Sequence, residues 1–221
     1  MTVGGGAASA TPYRYNSPMF VTFEGSEGSG KSTQLRLLVE YLQAQGREIV
    51  VTREPGGTQI GEQIRDILHD VANTAMTSEA EILLYSAARA QLVREVIRPA
   101  LAAGKLVLSD RYYDSTYAYQ GYGRGLDLTM LRHVTQLATG GLKPDLTIFF
   151  DLSVERGLAR RVAGGDEMNR MDQQQMAFYE RVYAGYQELV TAEPERWHVV
   201  NGDRPVGAIQ AEVRELLANS Y

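Results

Sequence analysis

Residues 19–33, Met-Phe-Val-Thr-Phe-Glu-Gly-Ser-Glu-Gly-Ser-Gly-Lys-Ser-Thr, constrain this chain more than any other stretch. The apolar run Met19 to Phe23 reads as a strand, a glycine-rich turn follows, and a helix opens near Lys31. Gly25, Gly30, Lys31 and Ser32 then satisfy the spacing GxxxxGK[ST]. Gly25, Gly28 and Gly30 allow a tight turn whose amide N–H groups converge as a nest for phosphate oxygens, and the positive helix end adds to the same field. Gly25, Ser26, Glu27, Gly28, Ser29, Gly30, Lys31, Ser32 and Thr33 are therefore the expected cradle for a nucleotide's phosphates. Lys31 would act as a point charge on the β- and γ-phosphates, and the Ser32 hydroxyl as a ligand for magnesium. The alternative, an ordinary Gly/Ser connection, is disfavoured by the legible strand and helix on either side.

With 221 residues and no cysteine, the chain is long enough for one full core and can hold neither a disulfide nor a thiolate metal site. No apolar run approaches the roughly 18 residues of a membrane span, and the N-terminus lacks a basic segment followed by an apolar one. A soluble, cytoplasmic protein with no membrane partner is expected. A formal net charge of −5 without a basic stripe speaks against nucleic acid as a partner. Phosphate ligands must then be held by a few placed Arg and Lys side chains. Residues 1–18, rich in Gly, Ala, Ser and Thr, show no period and read as a flexible N-terminal extension, and 19–221 as one domain.

Within that domain, apolar runs suited to buried strands occur at Phe20 to Phe23, Ile49 to Thr52, Leu106 to Leu108, Leu146 to Phe150 and Trp197 to Val200. Helical patterns separate them: Lys31 to Gly46, Thr58 to His69, Ser78 to Ala103, Leu128 to Thr139, Val154 to Val162, Gln173 to Thr191 and Val206 to Asn219. This alternation predicts right-handed crossovers and a five-stranded parallel sheet with helices on both faces, a three-layer α/β sandwich. Ser78 and Glu81 read as a capping box on the third helix, which carries Pro99 near its end. In open parallel sheets ligands sit beyond the carboxyl ends of the strands, which makes the residues there functional candidates.

After the second strand, Thr52-Arg53-Glu54-Pro55-Gly56-Gly57-Thr58 forms a rigid turn in which Arg53 can grip a phosphate bidentately; the alternative is a surface pair with Glu54. The Glu54–Pro55 peptide can be cis or trans on this reading. After the third strand, Asp110-Arg111-Tyr112 offers an acid for magnesium and a second anion clamp; a buried pair closing the sheet is the alternative. Tyr112, Thr116, Tyr119 and Gln120 fall at i, i+4, i+7 and i+8, so on a helix they share a face suited to a nucleoside. On the third helix Tyr85 and Arg89 lie one turn apart, where a ring can stack on a base and a guanidinium donate to its edge. Such a donor suits O4 of thymine or uracil and rejects the amino group of cytosine.

In their order these motifs resemble the thymidylate kinase family. The resemblance rests on Phe23-Glu24-Gly25 leading into the phosphate loop, the Thr52 to Thr58 turn, Ala87-Ala88-Arg89, and Asp110-Arg111-Tyr112. It continues with Tyr119-Gln120-Gly121 running into Gly123-Arg124-Gly125, and with Lys143-Pro144-Asp145-Leu146-Thr147. It runs from about Phe20 to the C-terminus and implies a P-loop NTPase-like fold with a mobile lid, a homodimer, and ATP-dependent phosphorylation of dTMP to dTDP with Mg2+. Carried over by position, it implies that Lys31 and the loop amides hold ATP, that Glu27 bonds the deoxyribose 3′-hydroxyl, and that Arg53 and Arg111 grip the dTMP phosphate, with Asp110 near the metal. It likewise implies that Tyr85 stacks on thymine, Arg89 reads O4, Thr116 contacts the base beside Gln120, and Tyr119 crowds the 2′ position against ribonucleotides.

Glu27 inside the loop resembles the bacterial subgroup whose catalytic arginine comes from the lid, here at about 160–172. That subgroup carries several arginines before the lid glycine, whereas Gly164, Gly165, Asp166 and Glu167 occupy the tip in this chain. Arg156 and Arg160 share a helix face and Arg161 lies about 100° around it. Arg160 or Arg161 is the expected catalytic arginine, with Arg170 a further candidate. Competing expectations are a kinase for another nucleotide or deoxynucleoside, a catalytically silent nucleotide-binding module, and a GTPase-type switch. The last is disfavoured because no Asn-Lys-x-Asp guanine reader or Asp-x-x-Gly switch is present.

Overall fold

The structure is a computed structural model and describes residues 18–164 and 170–219. The expected N-terminal extension, apart from Pro18, and the expected lid tip at 165–169 lie outside the described residues. Strands β1 Met19–Glu24, β2 Ile49–Arg53, β3 Leu106–Asp110, β4 Leu146–Asp151 and β5 Trp197–Asn201 form one parallel sheet in the order β2-β3-β1-β4-β5. Helices α1 Lys31–Ala44, α2 Gln59–His69, α3 Ser78–Leu92, α4 Arg98–Ala102, α5 Tyr113–Thr116, α6 Leu128–Thr139, α7 Val154–Gly164, α8 Met176–Ala192 and α9 Val206–Asn219 follow in the expected alternation.

The pleat of β1 explains the three layers. Phe20 enters one core with Val107, Phe149 and Trp197, under Ile82 of α3, Leu131 of α6 and Tyr186 of α8. Met19, Val21 and Phe23 point the other way and join Leu108, Ile148 and Phe150 under Leu35, Leu38 and Leu42 of α1 and Val213 and Leu217 of α9. Because both faces are covered, the strands read as continuous apolar runs, and each fully buried Val, Leu or Phe contributes roughly 1.5–3 kcal/mol relative to exposure. Asp145, in the turn before β4, ties the start of β1 by accepting from Phe20 N at 2.7 Å.

Some local expectations are corrected. Helix α3 is capped by Thr77, whose hydroxyl accepts from Ala80 N at 3.2 Å; Ser78 is its first residue, and Glu81 is buried in an ion-pair cluster instead of closing a capping box. Between α3 and α4 the segment Val93–Ile97 widens into a π-turn. Pro99 has no N–H for the Glu95 carbonyl and its ring would clash with it, so an even α-helix cannot continue there. Tyr112 does not join a helical face: it is the extended residue before α5, packed edge-on against Phe20 at 4.9 Å, while Tyr117–Gly123 winds as a π-helix. A 3-10 turn, Arg170–Gln173, precedes α8, which starts at Met176.

Strand register positions the site. Phe23 and Arg53 both pair with Asp110, and Glu24 with Phe149, so the carboxyl ends of β1, β2 and β3 bring Glu24, Arg53 and Asp110 into one neighbourhood. No described helix is long and apolar enough to cross a membrane.

Candidate active site

A cavity of about 610 Å³ opens at these strand ends. Its floor is the glycine-rich loop. Glu27, Gly28, Ser29, Gly30, Lys31, Ser32 and Thr33 line it, while Gly25 and Ser26 lie behind and give their carbonyls to Lys31. Lys31 Nζ donates to Gly25 O (3.0 Å), Ser26 O (2.8 Å) and Ser29 Oγ (3.3 Å). Burial and then Arg111 lower its amine to about 8, against Glu27, Asp110 and Glu24; it stays mostly charged near neutral pH, and an arriving polyanion would favour the charged form further. Gly28 is left-handed at φ 68, and a Cβ there would collide with the Gly157 carbonyl; a Cβ on Gly157 would collide with the carbonyl of Glu27. These two glycines let α7 lie directly on the loop, which carries Arg160 and Arg161 to the cavity wall. Ser32 Oγ donates to Asp110 Oδ2 at 2.5 Å. This hydroxyl and carboxylate are hard oxygen donors of the kind that take Mg2+ together with phosphate oxygens and water.

Arg111 sits at φ 69, the one positive-φ residue other than glycine among the described residues, a conformation costing on the order of 1 kcal/mol. Its N–H donates to Phe23 O (3.0 Å) and its carbonyl accepts from Ser109 Oγ (2.7 Å). One guanidinium nitrogen donates to Glu27 Oε1 (2.9 Å) and Tyr119 Oη (3.1 Å), the other to Ser115 Oγ (3.0 Å) and Tyr186 Oη (3.1 Å). Burial alone would raise the Glu27 carboxyl, but Arg111 foremost, then Lys31, Arg161 and the Tyr119 hydrogen bond, outweigh it and hold it at about 2. Glu27 is thus an ionised, acceptor-only group on the cavity wall. Behind Arg111 lies Glu24, fully buried; burial and Asp114 push its carboxyl up, against Arg111, Ser115 and Tyr112.

Tyr85, Arg89, Thr116, Tyr119 and Gln120 line one wall together. Arg89 is 1% exposed. Its Nε and Nη2 pair with Glu54 Oε2 (2.8 and 2.6 Å), Nη2 also donates to Thr116 Oγ1 (3.0 Å), and Nη1 is buried without a partner. An unmet buried donor costs about 1–3 kcal/mol or more when charged, so a ligand acceptor at Nη1 would be strongly favoured. Glu54 is therefore the anchor of Arg89 and not a surface partner of Arg53, and the Glu54–Pro55 peptide is cis. Arg53, also on the wall, pairs with Glu62 of α2 at 2.8 Å. Gln120 Nε2 donates to the buried Glu81 at 2.9 Å. The Tyr112 hydroxyl is spent on Leu142 O at 3.3 Å.

On α7, Arg156 and Arg160 share a face, and that face meets Asp203 (2.6 and 3.3 Å); Arg160 also donates to Gly202 O at 3.0 Å. Arg161 lies on the neighbouring face, on the cavity wall, where its charge helps hold Glu27 ionised. Arg170 does not line the cavity: it is 6% exposed, with Nε on Leu68 O (2.9 Å) and Nη2 on Glu81 (2.5 Å). Gly165, Asp166 and Glu167 lie outside the described residues. The sequence reading missed Arg65 and His69, which line the wall one turn apart on α2, and Gly202, Arg204, Val206 and Ile209, which line it after β5. Helical spacing could have found the α2 pair; the β5 residues carried a signal only in following a strand.

The sequence profile of the family described as Thymidylate kinase matches residues 23–213. The thymidylate kinase of Roseiflexus sp. (strain RS-1) is 52% identical over 206 residues, covering 88% of this chain and 91% of the relative. That of Desulforudis audaxviator (strain MP104C) is 51% identical over 206 residues, covering 91% and 92%. The crystal structure of thymidylate kinase from Ehrlichia chaffeensis superimposes with a TM-score of 0.75 at 33% identity, covering 91% of this chain and 98% of that one.

Proposed function

Since the chain belongs to the thymidylate kinase family, we propose a division of labour among its residues for the ATP-dependent phosphorylation of dTMP to dTDP that membership entails. A dTMP phosphate oxygen attacks the γ-phosphorus of ATP in line, the β–γ bridging P–O bond breaks, and ADP leaves. The protein aligns two polyanions and neutralises the charge that develops between them. Lys31 and the loop amides hold the β- and γ-phosphates. Ser32 and Asp110 are the residues that would hold Mg2+, which when bound neutralises phosphate oxygens.

Arg111 and Arg53 grip the dTMP phosphate, with Arg65 as a third cation on the same wall, and Glu27 accepts from the 3′-hydroxyl. Tyr119, bonded to both Arg111 and Glu27, crowds the 2′ position. Tyr85 stacks on the base, with Thr116 and Gln120 beside it. Arg161 is the better candidate for the catalytic lid arginine, because its charge already acts on the loop, whereas Arg160 is drawn to Gly202 and Asp203. Together with Glu27 in the loop, a lid arginine at Arg161 supports the reading of the chain as one of the bacterial subgroup. A homodimer is supported by exposed apolar side chains on three helices packed side by side: Ile60 and Ile67 of α2, Leu83 of α3 and Leu137 of α6.

The observation that carries the base reading is Arg89 Nη1, a buried unpartnered donor on a cavity-lining residue whose other nitrogens are locked. It calls for an acceptor, which O4 of thymine supplies and the cytosine amino group does not. The test is ADP release from Mg-ATP across dTMP, dUMP, dCMP, UMP, AMP and GMP, with Lys31→Ala as the blank. Turnover led by dTMP is expected, with dUMP behind by the roughly 1–3 kcal/mol a methyl is worth and dCMP far lower. Arg89→Ala should weaken dTMP about 100-fold and leave ATP unchanged. Equal losses for both nucleotides would overturn the base-reading role.

A further inference from the structure

The guanidinium of Arg111 has a working edge and an anchored edge. Glu27 and Tyr119, the partners of Nη2, line the cavity. At Nη1 the partners are Ser115, which also lines the cavity, and the fully buried Tyr186, which does not and is supplied by α8, 75 residues further along the chain. Both hydroxyls give their hydrogens to the same oxygen: Ser115 Oγ donates to Glu24 Oε2 at 2.6 Å and Tyr186 Oη at 2.9 Å. A hydroxyl has one hydrogen and two lone pairs, so donating to a carboxylate turns the lone pairs towards Nη1. The other carboxylate oxygen of Glu24 accepts from Tyr112 N at 2.8 Å, gripping the backbone one residue beyond the left-handed Arg111. One buried acid therefore holds Arg111 twice, through its side chain and through its chain direction.

We propose that Glu24 and Tyr186 are positioning residues for phosphoryl transfer, fixing the rear edge of Arg111 so that its remaining donors stay aimed at the acceptor phosphate. The inference rests on the reading of Arg111 as a dTMP phosphate clamp. Neither residue lines the cavity. Tyr186→Phe is the sharpest probe, because it removes one hydroxyl and keeps the ring stacked on Phe149 at 5.1 Å.

Steady-state kinetics with dTMP varied at saturating Mg-ATP, and the reverse, should show Tyr186→Phe raising the KM for dTMP about tenfold, the scale of one hydrogen bond to a charged group. The KM for ATP should stay within about twofold on the same scale. Ser115→Ala, which removes the other hydroxyl, should show the same split, and Glu24→Gln a larger one. Arg111→Lys is the control for the underlying reading. If Tyr186 acts through Arg111, the double variant Tyr186→Phe/Arg111→Lys is no worse than Arg111→Lys alone; losses that multiply would mean a merely structural tyrosine and overturn the proposal. An unchanged dTMP KM in both hydroxyl variants, with Arg111→Lys impaired, would overturn the positioning role alone. An unimpaired Arg111→Lys would overturn the clamp reading, and the positioning role with it.

Discussion

Arg111 and Arg53 stand at the carboxyl ends of neighbouring strands, and both were expected to grip one phosphate, yet the fold treats them in opposite ways. The side chain of Arg111 is 16% exposed, its backbone is left-handed, and four partners surround its guanidinium. That of Arg53 is 54% exposed and meets Glu62, itself 41% exposed. An exposed pair of this kind nets about 0–1 kcal/mol and exchanges readily for a phosphate. The Arg111 cluster cannot rearrange without leaving buried acids unpaired. Equivalent positions in a parallel sheet thus yield one preorganised cation, suited to aligning the reaction, and one adaptable cation, suited to capturing its substrate.

The comparison can be broken most directly by Arg111→Ala, expected to lower kcat/KM for dTMP about 10³-fold, since truncating one partner of a buried charge cluster costs 2–5 kcal/mol. A loss within tenfold would erase the distinction. The next effect is on stability. The folded-state value of the Glu27 carboxyl is about 2, below its ordinary 4.5, so its contribution is complete above about 4.5 and is lost as the pH falls from there towards 2. Urea unfolding of wild type and Glu27→Gln should differ by up to about 3 kcal/mol at pH 6, less whatever solvent screening removes, and converge only as the pH falls below the folded-state value of about 2. A gap independent of pH would remove the charge coupling to Arg111.

Smaller consequences belong to the exposed side. Arg53→Ala should raise the KM for dTMP about tenfold at low salt, and less at 0.5 M salt, where exposed charges are screened within a few ångströms. The Arg111→Ala defect should keep its size. Smallest is Glu62→Gln, which releases Arg53 and should lower the dTMP KM by no more than about threefold, the worth of an exposed pair. A rise would mean that Glu62 orients Arg53 for the ligand.

Much of the site was legible because its chemistry is contiguous. The loop from Gly25 to Thr33, the Arg53 turn and Asp110-Arg111 each follow a strand, and a parallel sheet delivers strand ends to one edge. Tyr85 and Arg89 could be paired because helical spacing is a local property. The partners that decide how these residues behave were not legible. Glu54, which entered the sequence reading only as an alternative surface partner for Arg53, is the buried anchor of Arg89, 35 residues away. Glu81 seemed a capping residue and is the buried acid that ties down Arg124, Gln120 and Arg170. Arg160 and Arg161 lie about 100° apart on a helix, as their spacing implies, but that the Arg160 face meets Gly202 and Asp203 was set by packing after β5.

By itself the sequence determined the alternation of strands and helices, the phosphate cradle and the cations available to it, since periodicity, glycine freedom and strand-end position act over a few residues. Tertiary structure alone decided which acid neutralises which arginine and which donor is left unmet at Nη1 of Arg89. It also decided that Arg111 is held from behind by a tyrosine from α8. Electrostatic partners are chosen by distance through a low-dielectric interior, and that distance exists only once the chain has folded.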